Sequence, residues 1–166
     1  GFFANAHGLE VRLSDIDYDR SRRDIDLPYQ SVNHLRVMSH TVYEQGSLAL
    51  EADLAYQNNH RKELSEPVSH GYMPVPPSSL EREFKKDTYT ANLIARLSLG
   101  SRHTLTTGFN SEYQHNRRSG WGFIMPDFET ASFGTYAFDR FTVRKDLILN
   151  AGVRYDHVRT SIHSYR

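Results

Sequence analysis

Six stretches of this chain alternate apolar and polar residues with a period of two, and they come in pairs joined by tight turns. The first pair is 33–45 (NHLRVMSHTVYEQ) and 47–57 (SLALEADLAYQ), meeting at Gly46. The second is 88–99 (TYTANLIARLSL) and 104–114 (TLTTGFNSEYQ), meeting around Gly100. The third is 133–144 (FGTYAFDRFTVR) and 147–157 (LILNAGVRYDH), joined through RKDL. Period two is the signature of a strand whose two faces see different surroundings. Thr, Tyr, Leu and Val dominate these runs and no proline interrupts them. Glycine at the joints supplies the positive φ that a short hairpin turn needs. A shorter alternating run at 8–14 (GLEVRLS) adds a further strand, about seven in all.

The connections alternate in length as well. Each tight turn is followed by a long polar stretch, 58–87 and then 115–132, and another polar stretch at 15–32 precedes the first pair. Soluble meanders keep connections short, with a median of about 4–6 residues. Long loops at one end and tight turns at the other are the pattern of an up-and-down transmembrane barrel. Within 58–87, SSLEREFKKD reads as a short helix with Ser79 as N-cap and Glu81 and Glu83 in its first turn.

The two faces differ chemically. In 47–57 one face carries Leu48, Leu50, Ala52, Leu54 and Tyr56, the other Glu51 and Asp53. In 88–99 Leu93, Ala95 and Leu97 oppose Asn92 and Arg96; in 104–114 Leu105, Phe109 and Tyr113 oppose Glu112. In 147–157 Leu149, Val153 and Tyr155 oppose Asn150, Arg154 and Asp156. The smooth faces run for about 9–12 residues, the length with which a tilted strand crosses a bilayer. Tyr56, Tyr89, Tyr113 and Tyr155 fall near the loop-side ends, where an interfacial aromatic girdle belongs. In 133–144 the apolar face also holds Asp139.

Composition narrows the class. Hydrophobic residues make up 38% of the 166 residues, and the mean hydropathy is −0.63. That is thin for a soluble core, while 12% aromatic content argues against disorder. The 20 basic and 20 acidic side chains cancel, so no net field favours nucleic acid. Without cysteine there is no disulfide and no thiolate chemistry. No apolar run reaches the 18 or so residues of a membrane helix. The opening GFFANAHGLEV lacks the basic and apolar regions of a signal peptide, so Gly1 reads as the start of a fragment or a processed chain.

Sites of chemistry are sparse. His34 and His40 would lie on one strand face but about 20 Å apart, too far to share a metal. His60, His70 and His115 are read as exposed loop histidines. DIDYDRSRRDID, from Asp15 to Asp26, has acidic residues at calcium-loop positions 1, 3 and 5. It puts Arg20 where the turn wants glycine and Asp26 where the loop wants glutamate, and reads as a solvated loop with internal ion pairs. No nucleophile elbow, phosphate loop or zincin motif appears, so no catalytic residue, cofactor or metal site is assigned. RRSGWGF mixes cations and aromatics. Its Arg117, Arg118, Trp121 and Phe123 are the candidates for ligand contact in a loop.

Taken together, DLPYQSVNHLRV, LALEADLAYQNNHRKEL, HTLTTGFNSEYQHN, IMPDFETASFGTYAFDRF and LILNAGVRYDHV resemble the barrel of TonB-dependent outer-membrane receptors. YQNNHRKE, LTTGFNSEYQHN and AGVRYD are the most specific pieces, and the likeness covers essentially the whole chain. The resemblance implies a middle segment of a large all-β barrel, without plug domain or TonB box, in the bacterial outer membrane. The parent would take up a scarce nutrient such as an iron–siderophore, haem or cobalamin. Its partners would be outer-membrane lipid, the remaining strands, the plug, TonB acting through that plug, and a small-molecule or metal-complex ligand. Glu51, Asp53, Asn92, Arg96, Glu112, Asn150, Arg154 and Asp156 would then face the lumen. Two other readings stay open: a soluble all-β binding module, and an outer-membrane barrel of another type.

Overall fold

The structure is a computed structural model that describes residues 27–69, 71–122 and 124–163. It is one antiparallel sheet of six strands in the order β1-β2-β3-β4-β5-β6. The strands are β1 (Tyr29–Gln45), β2 (Leu48–Leu64), β3 (Leu80–Leu99), β4 (His103–Ser119), β5 (Asp127–Arg144) and β6 (Leu147–His163). Every strand pairs with its sequence neighbour, which makes the topology a plain meander. The sheet is not closed, and β1 and β6 are its edges. The run at 8–14 and the acidic stretch from Asp15 to Asp26 lie outside the described residues, as do His70 and Phe123.

The turns follow the sequence expectation. Gly46 and Gly100 take φ of 58° and 65° in the β1–β2 and β3–β4 turns. The β5–β6 turn has no glycine, and its register shifts between Thr142 and Arg144.

At the other end the structure departs from expectation. The strands run 17–20 residues, well past the apolar bands. The long connections shrink to 65–79 and 120–126. The segment read as a short helix is the beginning of β3: Arg82 pairs with Glu63, Glu83 with Lys62, and Phe84 with Arg61. An isolated helix of that length has no packing to offset its nucleation cost. A ladder to β2 on one side and β4 on the other satisfies the same backbone groups, and it does not need apolar side chains.

Among the described residues no hydrophobic side chain is buried, while Leu54, Leu93, Leu149 and Val153 are exposed. A single layer has no second layer to cover either face. The sheet is therefore a wall whose apolar side needs an apolar medium.

Candidate functional site

The register sorts the side chains of each face into rows that cross all six strands. On the polar face one row reads His40, Asp53, Asn92, Asn110, Gly134, Asp156. His40 Nδ1 lies 2.6 Å from Asp53 Oδ1, and Asn92 Nδ2 donates to Asp53 Oδ2 at 3.4 Å. At the far end Arg154 grips Asp156 with both Nε and Nη2, at 2.7 and 2.6 Å, and Nη2 also reaches Asn110 Oδ1 at 3.0 Å. These groups lie across Gly134: a Cβ there would fall 2.4 Å from Asp156 Oδ1. The glycine is what lets the fork close over the row.

In the next row Tyr136 lies across Gly108, with the Arg154 guanidinium 5.9 Å from the ring centroid. One row further, Phe138 covers Gly152. Arg96 sits 3.8 Å from Glu51 on the same face. All eight polar residues singled out in the sequence fall on this one face: Glu51, Asp53, Asn92, Arg96, Glu112, Asn150, Arg154 and Asp156. The structure joins four of them in two short networks, Asp53 with Asn92 and Arg154 with Asp156, and pairs Arg96 with Glu51.

The opposite face carries two groups of aromatic side chains in contact, one on β2–β4 and one on β4–β6. Tyr56 and Tyr89 have ring centroids 5.0 Å apart, and Tyr89 and Tyr113 6.2 Å. The three share one row. Phe133 on β5 sits one row lower and Tyr155 on β6 another row lower, with centroids 6.2 Å apart. The tight turns descend in the same direction, from Gln45/Leu48 to Leu99/His103 to Arg144/Leu147. A band and a set of turns that both slide along the register are what strands tilted to a common plane produce. Asp139, the one acid among the described residues of this face on the turn side of the tyrosines, sits at its turn-side end and meets His103 Nδ1 at 2.6 Å.

Beyond the tyrosines the strands carry a polar mesh. Asp87 accepts from Tyr56 Oη and Asn58 Nδ2, both at 2.8 Å, and these two donors hold its carboxyl below the ordinary range. Glu83 gathers the Ser119 hydroxyl, His60 Nε2 at 2.7 Å, and the ammonium groups of Lys85 and Lys62 at 3.4 and 3.8 Å. The Ser119 and His60 bonds lead in lowering its pKa to about 2.

The four residues read from RRSGWGF do not form one loop patch. Arg117 and Arg118 belong to β4 and alternate between its two faces. Trp121 lies in the 120–126 connection and donates from Nε1 to the Ser78 carbonyl at 3.0 Å, tying that connection to 65–79. Phe123 lies outside the described residues. Gly120, at φ 97°, and Gly122 bring this connection against the Glu81 backbone, where Gly122 N–H donates to Glu81 O at 2.8 Å. No local pattern signals that docking, because it depends on two segments more than forty residues apart.

A family model described as TonB dependent receptor-like, beta-barrel, matches residues 2–166. No curated protein matches the chain, and no solved structure does.

Proposed function

Because this chain belongs to the TonB-dependent receptor-like β-barrel family, we propose that it forms part of the wall of a receptor that takes up a scarce nutrient, such as an iron–siderophore complex, haem or cobalamin. The family places it in the bacterial outer membrane. Family membership also sets aside the soluble binding module, and the absence of any buried hydrophobic side chain among the described residues agrees with that.

The observation that carries the reading is the contrast between faces. One holds the rows around Asp53 and Arg154; the other holds aromatic rings above an apolar band whose one acid, among the described residues, is Asp139 at the turn-side end. In this reading the apolar face meets lipid, and the polar face meets the lumen and the plug of the parent receptor. Exposed, hydrogen-bonded polar groups suit a surface along which a plug must slide. Such contacts exchange for water at a net cost of only about 0.5–1.5 kcal/mol each, so TonB can pull without dismantling a packed core. Arg118, Trp121 and the 65–79 and 120–126 connections contribute to the outer vestibule.

The test is ligand binding and uptake by the full-length receptor. Purified receptor is titrated with ferric siderophores, haem and cobalamin, and uptake of the bound compound is followed in cells with and without TonB. Saturable binding with TonB-dependent uptake is expected. Binding of none of these classes, or uptake indifferent to TonB, overturns the reading.

A further inference from the structure

On β1 a thioether and an imidazole share the polar face. Met38 stands two residues from His40, and the alternation of a strand puts both side chains on the same side. Residues so spaced are about 6.6 Å apart along the strand, close enough for two side chains to close on one metal ion. Met38 is 65% exposed. Directly across from it on β2 is the small Ala55, which leaves the flexible thioether room to turn. The hydrogen-bond networks of this face do not use it.

His40 is held as a metal-binding histidine is held. Its Nδ1 lies 2.6 Å from Asp53 Oδ1. An ionised carboxylate only accepts, so Nδ1 carries the proton and the Nε2 lone pair is left over. Asp53 stands directly opposite on β2 and is itself fixed by Asn92 Nδ2 at 3.4 Å. A carboxylate on the non-ligating imidazole nitrogen sets the tautomer, aims the ring and raises its basicity towards a metal. The pair is open to solvent, with His40 61% and Asp53 50% exposed. The surrounding charge suits a cation. On β1–β3, on the turn side of Met38, this face carries Glu44, Glu51 and Asp53 against one arginine, Arg96, among the described residues.

We propose that Met38 and His40 form a two-coordinate site for a cuprous ion on the polar wall, with Asp53 positioning the imidazole. Thioether sulfur selects Cu(I), and imidazole suits copper as well. A d10 cuprous ion accepts two ligands, whereas zinc takes four and calcium or magnesium take oxygens. The chain has no cysteine, so a thioether is the sulfur donor it can offer. The site rests on the reading that this face meets water in the lumen, and it is independent of which nutrient the receptor carries.

The experiment uses the full-length receptor in bilayer nanodiscs, kept reduced with ascorbate, and titrates Cu(I) against a chromogenic cuprous chelator. Met38→Leu and His40→Ala should each lose one tightly bound copper relative to the wild type. Asp53→Asn should keep the site and weaken it about tenfold. Met73→Leu, in the 65–79 connection, should bind like the wild type. Copper X-ray absorption should show a sulfur neighbour that is lost in Met38→Leu. Unchanged copper stoichiometry in Met38→Leu and His40→Ala overturns the site, as does Zn(II) held at these residues as tightly as Cu(I). A spin label at Met38→Cys tests the face separately. Relaxation chiefly by lipid-soluble oxygen would put this face in lipid and overturn the lumen reading and the site together. Relaxation chiefly by a water-soluble reagent keeps the face in water, as the site requires, and the copper count then decides the site alone.

Discussion

Gly108 on β4 stands directly opposite Tyr136 on β5, and the phenol ring lies where a glycine side chain would begin. An ideal Cβ at Gly108 would come within 2.4 Å of the ring. The ring in turn supports the Arg154 guanidinium that holds Asp156 and Asn110. Glycine and tyrosine thus act as one unit on the polar face.

Two glycine substitutions should separate movable from immovable neighbours. Gly108→Ala displaces only the far end of Tyr136, and should cost about 1 kcal/mol through lost cross-strand packing. Gly152→Ala meets the Phe138 Cβ at 2.7 Å and the Ala137 carbonyl at 3.1 Å. Neither of those can swing away, so this change should cost more, about 2–3 kcal/mol as overpacking. Urea unfolding of the full-length receptor in detergent gives both values, and the reverse order would contradict the geometry.

The apolar band predicts a charge penalty that depends on face. Leu93→Arg, in the middle of the band, should destabilise the folded barrel by about 2–4 kcal/mol in a bilayer. Thr90→Arg, three positions away on the polar face, should cost well under half of that. Folding equilibria in phospholipid vesicles make the comparison, and equal penalties would show that both faces meet water.

Glu83 predicts an acid-sensitive outer rim. Its folded pKa of about 2 lies below the ordinary 4.5, so its carboxylate stabilises the fold above pH 4.5. That contribution declines as pH falls from 4.5 towards 2. Amide exchange at the outer ends of β2, β3 and β4, corrected for intrinsic rates, should accelerate across this window. Glu83→Gln should remove the pH dependence and leave protection low throughout. A flat profile in the wild type would rule out the Ser119 and His60 bonds as its support.

Trp121 predicts a coupling between the outer connections. Trp121→Phe keeps a ring but loses the bond to the Ser78 carbonyl, worth about 1 kcal/mol. Protease cleavage within 65–79 should rise severalfold. An unchanged rate would mean that the glycines at 120 and 122 alone hold the two connections together.

The sequence by itself determined the two faces, the tight turns and the class of fold. Those rest on local rules: Cβ atoms alternate along a strand, and glycine admits the positive φ of Gly46 and Gly100. The placement of all eight polar residues on one face was legible for the same reason. Strand length was not legible. Alternation of apolar and polar side chains stops where an apolar surface stops, so the segment starting at Leu80 read as a helix within a loop. The backbone ladder continues past that point on cross-strand pairs such as Arg82 with Glu63. Register across strands belongs to the tertiary structure alone, because it depends on how each hairpin is offset from the next. That offset laid Tyr136 over Gly108, stepped the aromatic rings down from Tyr113 to Phe133 to Tyr155, and set Lys85 opposite Arg117. It also parted Arg117 from Arg118, neighbours in sequence, because successive residues of a strand face opposite ways.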